Sequence, residues 1–150
     1  MTTMNTSIAK SFAAPSISRA AASALLAAAH AACAEIGIEA AIAITDAGGH
    51  LKAFERTDGA AFLPVEVAID KAWTASSFGL ATHTWNALLT SDPKVAQLAH
   101  RPRVVAVGGG CPIVENGQLL GGIGISGGNY LQDQQAAEAA LRALGFDVAA

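Results

Sequence analysis

The dipeptide Asn116-Gly117 does most to restrict what this chain can become. It joins Cys111–Val114 to Gln118–Ile125. Asn-Gly between two such stretches favours a two-residue turn, in which both central residues adopt positive φ and the backbone twist matches paired antiparallel strands. The same logic applies nearer the N-terminus. Ala40–Thr45 alternates, Asp46-Ala-Gly-Gly reads as a tight turn, His50–Arg56 returns, and Thr57-Asp58-Gly59 ends the strand. Val104–Val107, broken by Gly108-Gly-Gly, reads as a further strand. Strands joined by hairpins give an antiparallel sheet.

Helical spacing fills the intervals. Ser18 can cap a helix whose Leu25, Ala29, Cys33 and Ile36 share a face, and Gly37 stops it in the left-handed conformation. Pro64 suits the first turn of a second helix, with Val65, Ile69 and Ala72 as its buried stripe. Leu80–His100 is less regular, and two short helices split near Asp92-Pro93 are expected there. Asn129 can cap a last helix lined by Leu131, Ala137, Leu141 and Leu144. The expected organisation is a flexible N-terminal arm over residues 1–15 and a single domain over 16–150. The expected class is α+β: a two-layer sandwich in the profilin/PAS-like sense. It has an antiparallel sheet of about five strands, covered by helices on one face or both.

Composition narrows the function. Of the 150 residues, 52% are hydrophobic and 14% charged, against a usual charged share of about a quarter. Part of the apolar surplus is Ala and Gly, which serve close helix packing; the rest calls for an interface between subunits or a ligand cavity. A net charge of −3 with no basic stripe or stacking ladder argues against a nucleic-acid partner. Gly, Ser, Thr, Asn and Gln interrupt the uncharged stretches Ala72–Ser91 and Asn116–Gln132, so neither reads as a membrane span. The Ala-rich run Ala20–Ala34 reads as a helix of the folded domain rather than a leader, which makes the cytoplasm the expected compartment. Cys33 and Cys111 lie far apart without metal-ligand spacing and read as buried thiols.

Four stretches together resemble the GlcG/HbpS (DUF336) haem-binding family. They are Asp46-Ala-Gly-Gly-His-Leu-Lys-Ala-Phe-Glu-Arg-Thr-Asp-Gly, Lys71-Ala-Trp-Thr-Ala, Gly108-Gly-Gly-Cys-Pro-Ile, and Gly121-Gly-Ile-Gly-Ile-Ser-Gly-Gly with Gln132-Asp after it. Lys71-Ala-Trp-Thr-Ala-Ser-Ser-Phe with Thr82-His83 is similar to the C-terminal domain of propanediol-utilisation corrinoid adenosyltransferases. The adenosyltransferase domain has no counterpart in these motifs, so adenosyl transfer is not implied. The resemblance implies a two-layer sandwich, an octamer or similar homo-oligomer, and haem as a cofactor in some members.

Imidazole is the natural haem-iron ligand. Of His30, His50, His83 and His100, His83 is the first candidate for cofactor and metal. It stands beside Phe78 and Trp85 in a segment read as irregular enough to project a side chain into an apolar slot. His30, on an Ala-rich helix, is the second. Arg56 and Lys71 are candidates for holding haem propionates or the carboxylate of a small acid. A small catabolic enzyme acting on an organic acid is the alternative, with His50, Arg56, Asp58 and Lys71 as its acid–base and anion-binding groups and His50 and Asp58 as catalytic candidates. A structural accessory subunit is the third reading. Gly108–Gly110 and Gly121–Gly128 match no phosphate loop; Gly in the second run is expected to let a ligand or a neighbouring chain approach the sheet.

Overall fold

A computed structural model describes residues 7–148. Four helices and four strands follow in the order α1 (Arg19–Ile36), β1 (Ala41–Asp46), β2 (Leu51–Arg56), α2 (Leu63–Phe78), α3 (Thr82–Ser91), β3 (Gly110–Glu115), β4 (Gln118–Ser126) and α4 (Tyr130–Ala143). A short 3-10 turn spans Ala96–His100. The expected arm falls partly outside the described residues, which begin at residue 7; residues 7–16 run exposed and without regular structure, up to the buried Ile17.

The local signals work as their chemistry requires. Ser18 Oγ accepts from the Ala21 amide at 3.1 Å. At the other end of α1, Gly37 takes φ 86°, and the Gly37 and Ile38 amides return to the Cys33 carbonyl. Asn129 and Gln132 form a reciprocal capping box on α4. Asn116 and Gly117, with φ 51° and 77°, turn β3 into β4 so that Glu115 faces Gln118. In the other hairpin, Asp46 Oδ1 accepts from the amides of Gly48 (2.9 Å) and His50 (3.0 Å), closing the turn between β1 and β2.

The sheet order is β2-β1-β4-β3, antiparallel throughout. One face carries Ile42, Ile44, Ile113, Ile123 and Ile125 against α1 and α4. On the other, Ala41 and Ala43 meet Ala68 and Ala72 of α2. β1 is therefore buried almost end to end rather than alternating.

The α+β class and the antiparallel sheet stand as read from the sequence. The sheet has four strands rather than about five, and α2 adds a third layer over its second face. The missing strand is Val104–Val107. Its amide at Val105 donates to Thr74 Oγ1 (3.1 Å), and its carbonyl at Ala106 accepts from Asn86 Nδ2 (2.8 Å). Side chains of α2 and α3 thus meet the backbone needs that a neighbouring strand would otherwise meet. Leu80–Trp85 also differs from its expected irregularity: from Thr82 onward it is the first turn of a regular helix. That helix ends at Asp92, which the following Pro93 keeps in an extended conformation.

The glycines of β4 face inward to this chain. A Cβ on Gly124 would strike the Ala68 carbonyl oxygen, and one on Gly122 the Ala72 carbonyl oxygen. The close approach expected from a ligand or a neighbouring chain is made by α2 itself.

Candidate functional site

Two elements brought together by the β1–β2 hairpin form a recess at the end of the sheet where β2 finishes. His30 projects from α1; Glu39, Glu55, Arg56, Thr57, Asp58 and Gly59 supply the rest of its lining. The recess is open to solvent and has a volume of about 440 Å³, within the range of small-ligand sites. His30 Nε2 lies 3.3 Å from Glu55 Oε1. The contact is at ion-pair distance but not aligned for a hydrogen bond, so this nitrogen is buried with no hydrogen bond, beneath an exposed glutamate. One Arg56 nitrogen donates to the Ala60 carbonyl at 3.3 Å, which fixes the guanidinium at the rim and leaves its other N–H groups for an anion. Thr57 Oγ1 accepts from the Ala40 amide at 3.0 Å and ties the β2 exit to β1.

Three of the residues singled out in the sequence, His30, Arg56 and Asp58, therefore meet in one place. Lys71 does not join them. Its ammonium lies in the core between α2, β4 and α4, bonded to the carbonyls of Gly108 (2.9 Å) and Ile125 (3.0 Å) and to Asp133 Oδ2 (3.2 Å). Those three acceptors take the three N–H bonds of an ammonium, so no donor remains for a ligand carboxylate. Asp133 Oδ1 accepts from the Gly128 amide at 2.8 Å. Burial pushes the Lys71 ammonium below its ordinary range and the Asp133 carboxyl above its own, and each partner's charge works against the other's shift. Gly109 shapes this knot, because a Cβ there would crowd Lys71 Nζ and Asp133 Cβ at 2.8 Å each.

His83 stands in the first turn of α3, at a crevice it shares with Ala81, Cys111, Pro112, Glu138, Leu141 and Val148. Its Nδ1 is buried and has no hydrogen-bond partner. The crevice holds only about 10 Å³, room for roughly one water. Phe78 packs edge-on against Trp85, with ring centroids 5.7 Å apart, so the two rings close on each other and leave no slot between them. His50 sits at the β1–β2 turn, at the opposite end of β2 from Asp58. The acid–base set of His50, Arg56, Asp58 and Lys71 is thus spread over three separate places. Among the described residues, no group of three or more His, Cys, Asp or Glu side chains is arranged to hold a metal ion. No helix among them is long and apolar enough to cross a membrane.

Sequence reasoning did not reach Glu39, Glu55 and Thr57 as parts of the recess, nor Asp133 as the partner of Lys71. For Glu55 and Thr57 the signal was present, since both flank Arg56 in the hairpin motif. Thr82 is a further residue of consequence. Its hydroxyl donates to the Val107 carbonyl at 2.6 Å and accepts from the Gly110 amide at 2.9 Å, holding the Gly108–Gly110 bend against α3.

An open antiparallel sheet with helices on both faces, and a His–Arg recess of ligand size at its end, describe a small α+β domain. Residues 17–142 match the model of the family described as "Haem degrading protein HbpS-like", and the chain belongs to that family. It is similar to the Klebsiella pneumoniae protein ORFY, with 31% identity and a TM-score of 0.83 over 91% of this chain and 96% of that one. It is also similar to the chain in the crystal structure of a PduOC:heme complex, with 28% identity and a TM-score of 0.81 over 90% of this chain and 99% of that one. The corrinoid adenosyltransferase PduO of Citrobacter freundii is 37% identical over 112 residues, which are 73% of this chain but 33% of that protein. The chain thus spans about a third of the adenosyltransferase it matches.

Proposed function

We propose that this protein is a haem-binding homo-oligomer that holds the porphyrin in the recess between α1 and β2. The observation that carries the reading is His30. Its Nε2 is buried without a hydrogen bond, in the lining of a recess of about 440 Å³ that also carries Arg56. A buried polar atom that makes no hydrogen bond is costly, and an imidazole nitrogen held only by a misaligned contact to an exposed carboxylate suits a metal ligand. When bound, haem would supply an iron centre for ligand or redox chemistry. The residues of this chain have separate tasks around it. His30 offers its nitrogen once Glu55, which is exposed, swings aside. Arg56, the cation of the recess, receives the propionate edge with its planar fork. The carboxylates of Glu39 and Asp58 lie on the same lining and exclude the propionates from the rest of it. The recess is open to solvent and its lining is polar, so a neighbouring subunit laid against it would supply both the enclosure and the apolar face a porphyrin needs, in keeping with the shortage of surface charge. The haem complex of the PduOC chain, of similar fold, supports the cofactor assignment.

The test is a hemin titration followed in the Soret region, alongside light scattering for assembly. Wild type and His83→Ala are expected to give the same shifted band, and His30→Ala to lose it. Loss of the band in His83→Ala with retention in His30→Ala would move the site to the α3 crevice.

A further inference from the structure

The N-terminal arm and the start of α2 are both exposed and apolar, and they are complementary. Over residues 7–15 every residue is exposed. Phe12 is 88% and Ile8 71% accessible. In an extended segment side chains alternate, so Ile8, Lys10 and Phe12 share one face, with the apolar pair roughly 13 Å apart and the lysine midway. The arm does not hang freely at its root. Ile17 is buried and its amide donates to the Leu120 carbonyl at 2.9 Å, while Ser16 Oγ accepts from the Ala47 amide at 3.0 Å. From that anchor, nine residues of extended chain reach about 30 Å.

The second surface is an open recess of about 400 Å³ lined by Phe62, Leu63, Val65 and Glu66. Phe62 is 87% and Leu63 68% accessible. Glu66 is exposed and makes no ion pair with the described residues. Apolar groups beside one anion face apolar groups beside one cation, for Lys10 is the only charged residue between positions 7 and 16.

This chain's own arm leaves Phe62 and Leu63 uncovered and is itself exposed, so the occupant argued for is the arm of a second copy. The arm is rooted at the Ala47 turn, where β1 ends and β2 begins. Leu63 follows the far end of β2, beyond Arg56. Anchor and recess therefore lie at opposite ends of the sheet, the arrangement of a head-to-tail contact between two copies.

We propose that the arm of one subunit docks in the Phe62–Glu66 recess of a second copy, with Ile8 and Phe12 against Phe62 and Leu63 and Lys10 beside Glu66. The proposal rests on the homo-oligomer reading above and specifies one of its contacts. It is tested by light scattering at micromolar concentration and by cross-linking. Phe12→Asp and Leu63→Asp alter exposed side chains; each is expected to lower the assembly mass at least twofold while the far-ultraviolet spectrum is unchanged. Mixing Phe12→Cys chains with Leu63→Cys chains and adding a short bismaleimide is expected to give a band at twice the 15.1 kDa monomer, absent with either variant alone; the native thiols are buried. A monomeric wild type would overturn both the oligomer and the arm contact. An oligomeric wild type whose mass survives both Asp variants and whose Cys variants do not cross-link would overturn the arm contact alone.

Discussion

Lys71 Nζ stands 3.2 Å from Asp133 Oδ2 with both side chains buried, and this pair ties α2 to α4 at the C-terminal end of β4. Its energetics are asymmetric. The pair as a whole contributes little against a well-packed apolar replacement, but removing one member leaves a buried charge without its counter-ion. Lys71→Met is expected to destabilise the fold by about 3–5 kcal/mol in urea unfolding. Asp133→Asn should cost less, because an amide oxygen can still accept from Lys71 or from the Gly128 amide. The double variant should lose less than the sum of the two, the signature of direct coupling. Strict additivity would show that the two groups act independently.

Gly124 gives a second expectation. Since a Cβ at this position runs into the Ala68 carbonyl, Gly124→Ala must push α2 away from the sheet. Overpacking of this kind costs about 1–3 kcal/mol, whereas Ala in a strand would otherwise be favoured over Gly. Thermal unfolding of Gly124→Ala beside Gly117→Ala separates the effects. Gly117 has open space around it but a φ of 77°, so its variant carries only backbone strain.

The sequence was most legible where short-range chemistry decides. Asn116-Gly117 and Asp46-Ala-Gly-Gly placed both hairpins, and Ser18, Gly37 and Asn129 placed helix ends, because each acts through its own backbone neighbours. It was least legible where a distant group decides. Val104–Val107 has the composition of a strand, yet Thr74 and Asn86 hold its backbone. Lys71 reads as available for a ligand carboxylate, because its partner Asp133 lies 62 residues away. The recess was legible in part. His30, Arg56 and Asp58 were all named from the sequence, but only the β1–β2 pairing, with Ala41 opposite Arg56, shows that they converge and that His50 does not.

The cysteines carry a prediction about pH. Burial raises Cys33 from the ordinary 9.0 to about 11, with Asp133 adding to the effect. It raises Cys111 to about 12, where Glu138 adds and Arg142 opposes. A folded-state value above the unfolded one means that the folded protein holds the proton more tightly. The associated stability is complete below pH 9 and is lost as pH rises through about 11 to 12. Urea midpoints should fall above pH 9, and the fall should be shallower in Cys111→Ala. At pH 8 an aromatic disulfide reagent should label neither thiol without denaturant; prompt labelling of the native protein would contradict this.

Arg56 offers the sharpest test of the proposed anion contact. Its guanidinium is held at the recess rim by the Ala60 carbonyl and is the cation in a lining otherwise rich in carboxylate. Arg56→Met keeps an apolar stem of similar length and removes the charge and every donor. Loss of a charge-assisted hydrogen bond to a propionate should weaken hemin binding by about 1.5–3 kcal/mol, a factor of roughly 10 to 150. Arg56→Lys restores charge without the planar fork and should recover only part of the loss. Raising ionic strength should weaken wild-type binding and leave Arg56→Met nearly unchanged, since the screened interaction is then already absent. Equal hemin affinities in wild type, Met and Lys variants would remove Arg56 from the site, whatever the result at His30.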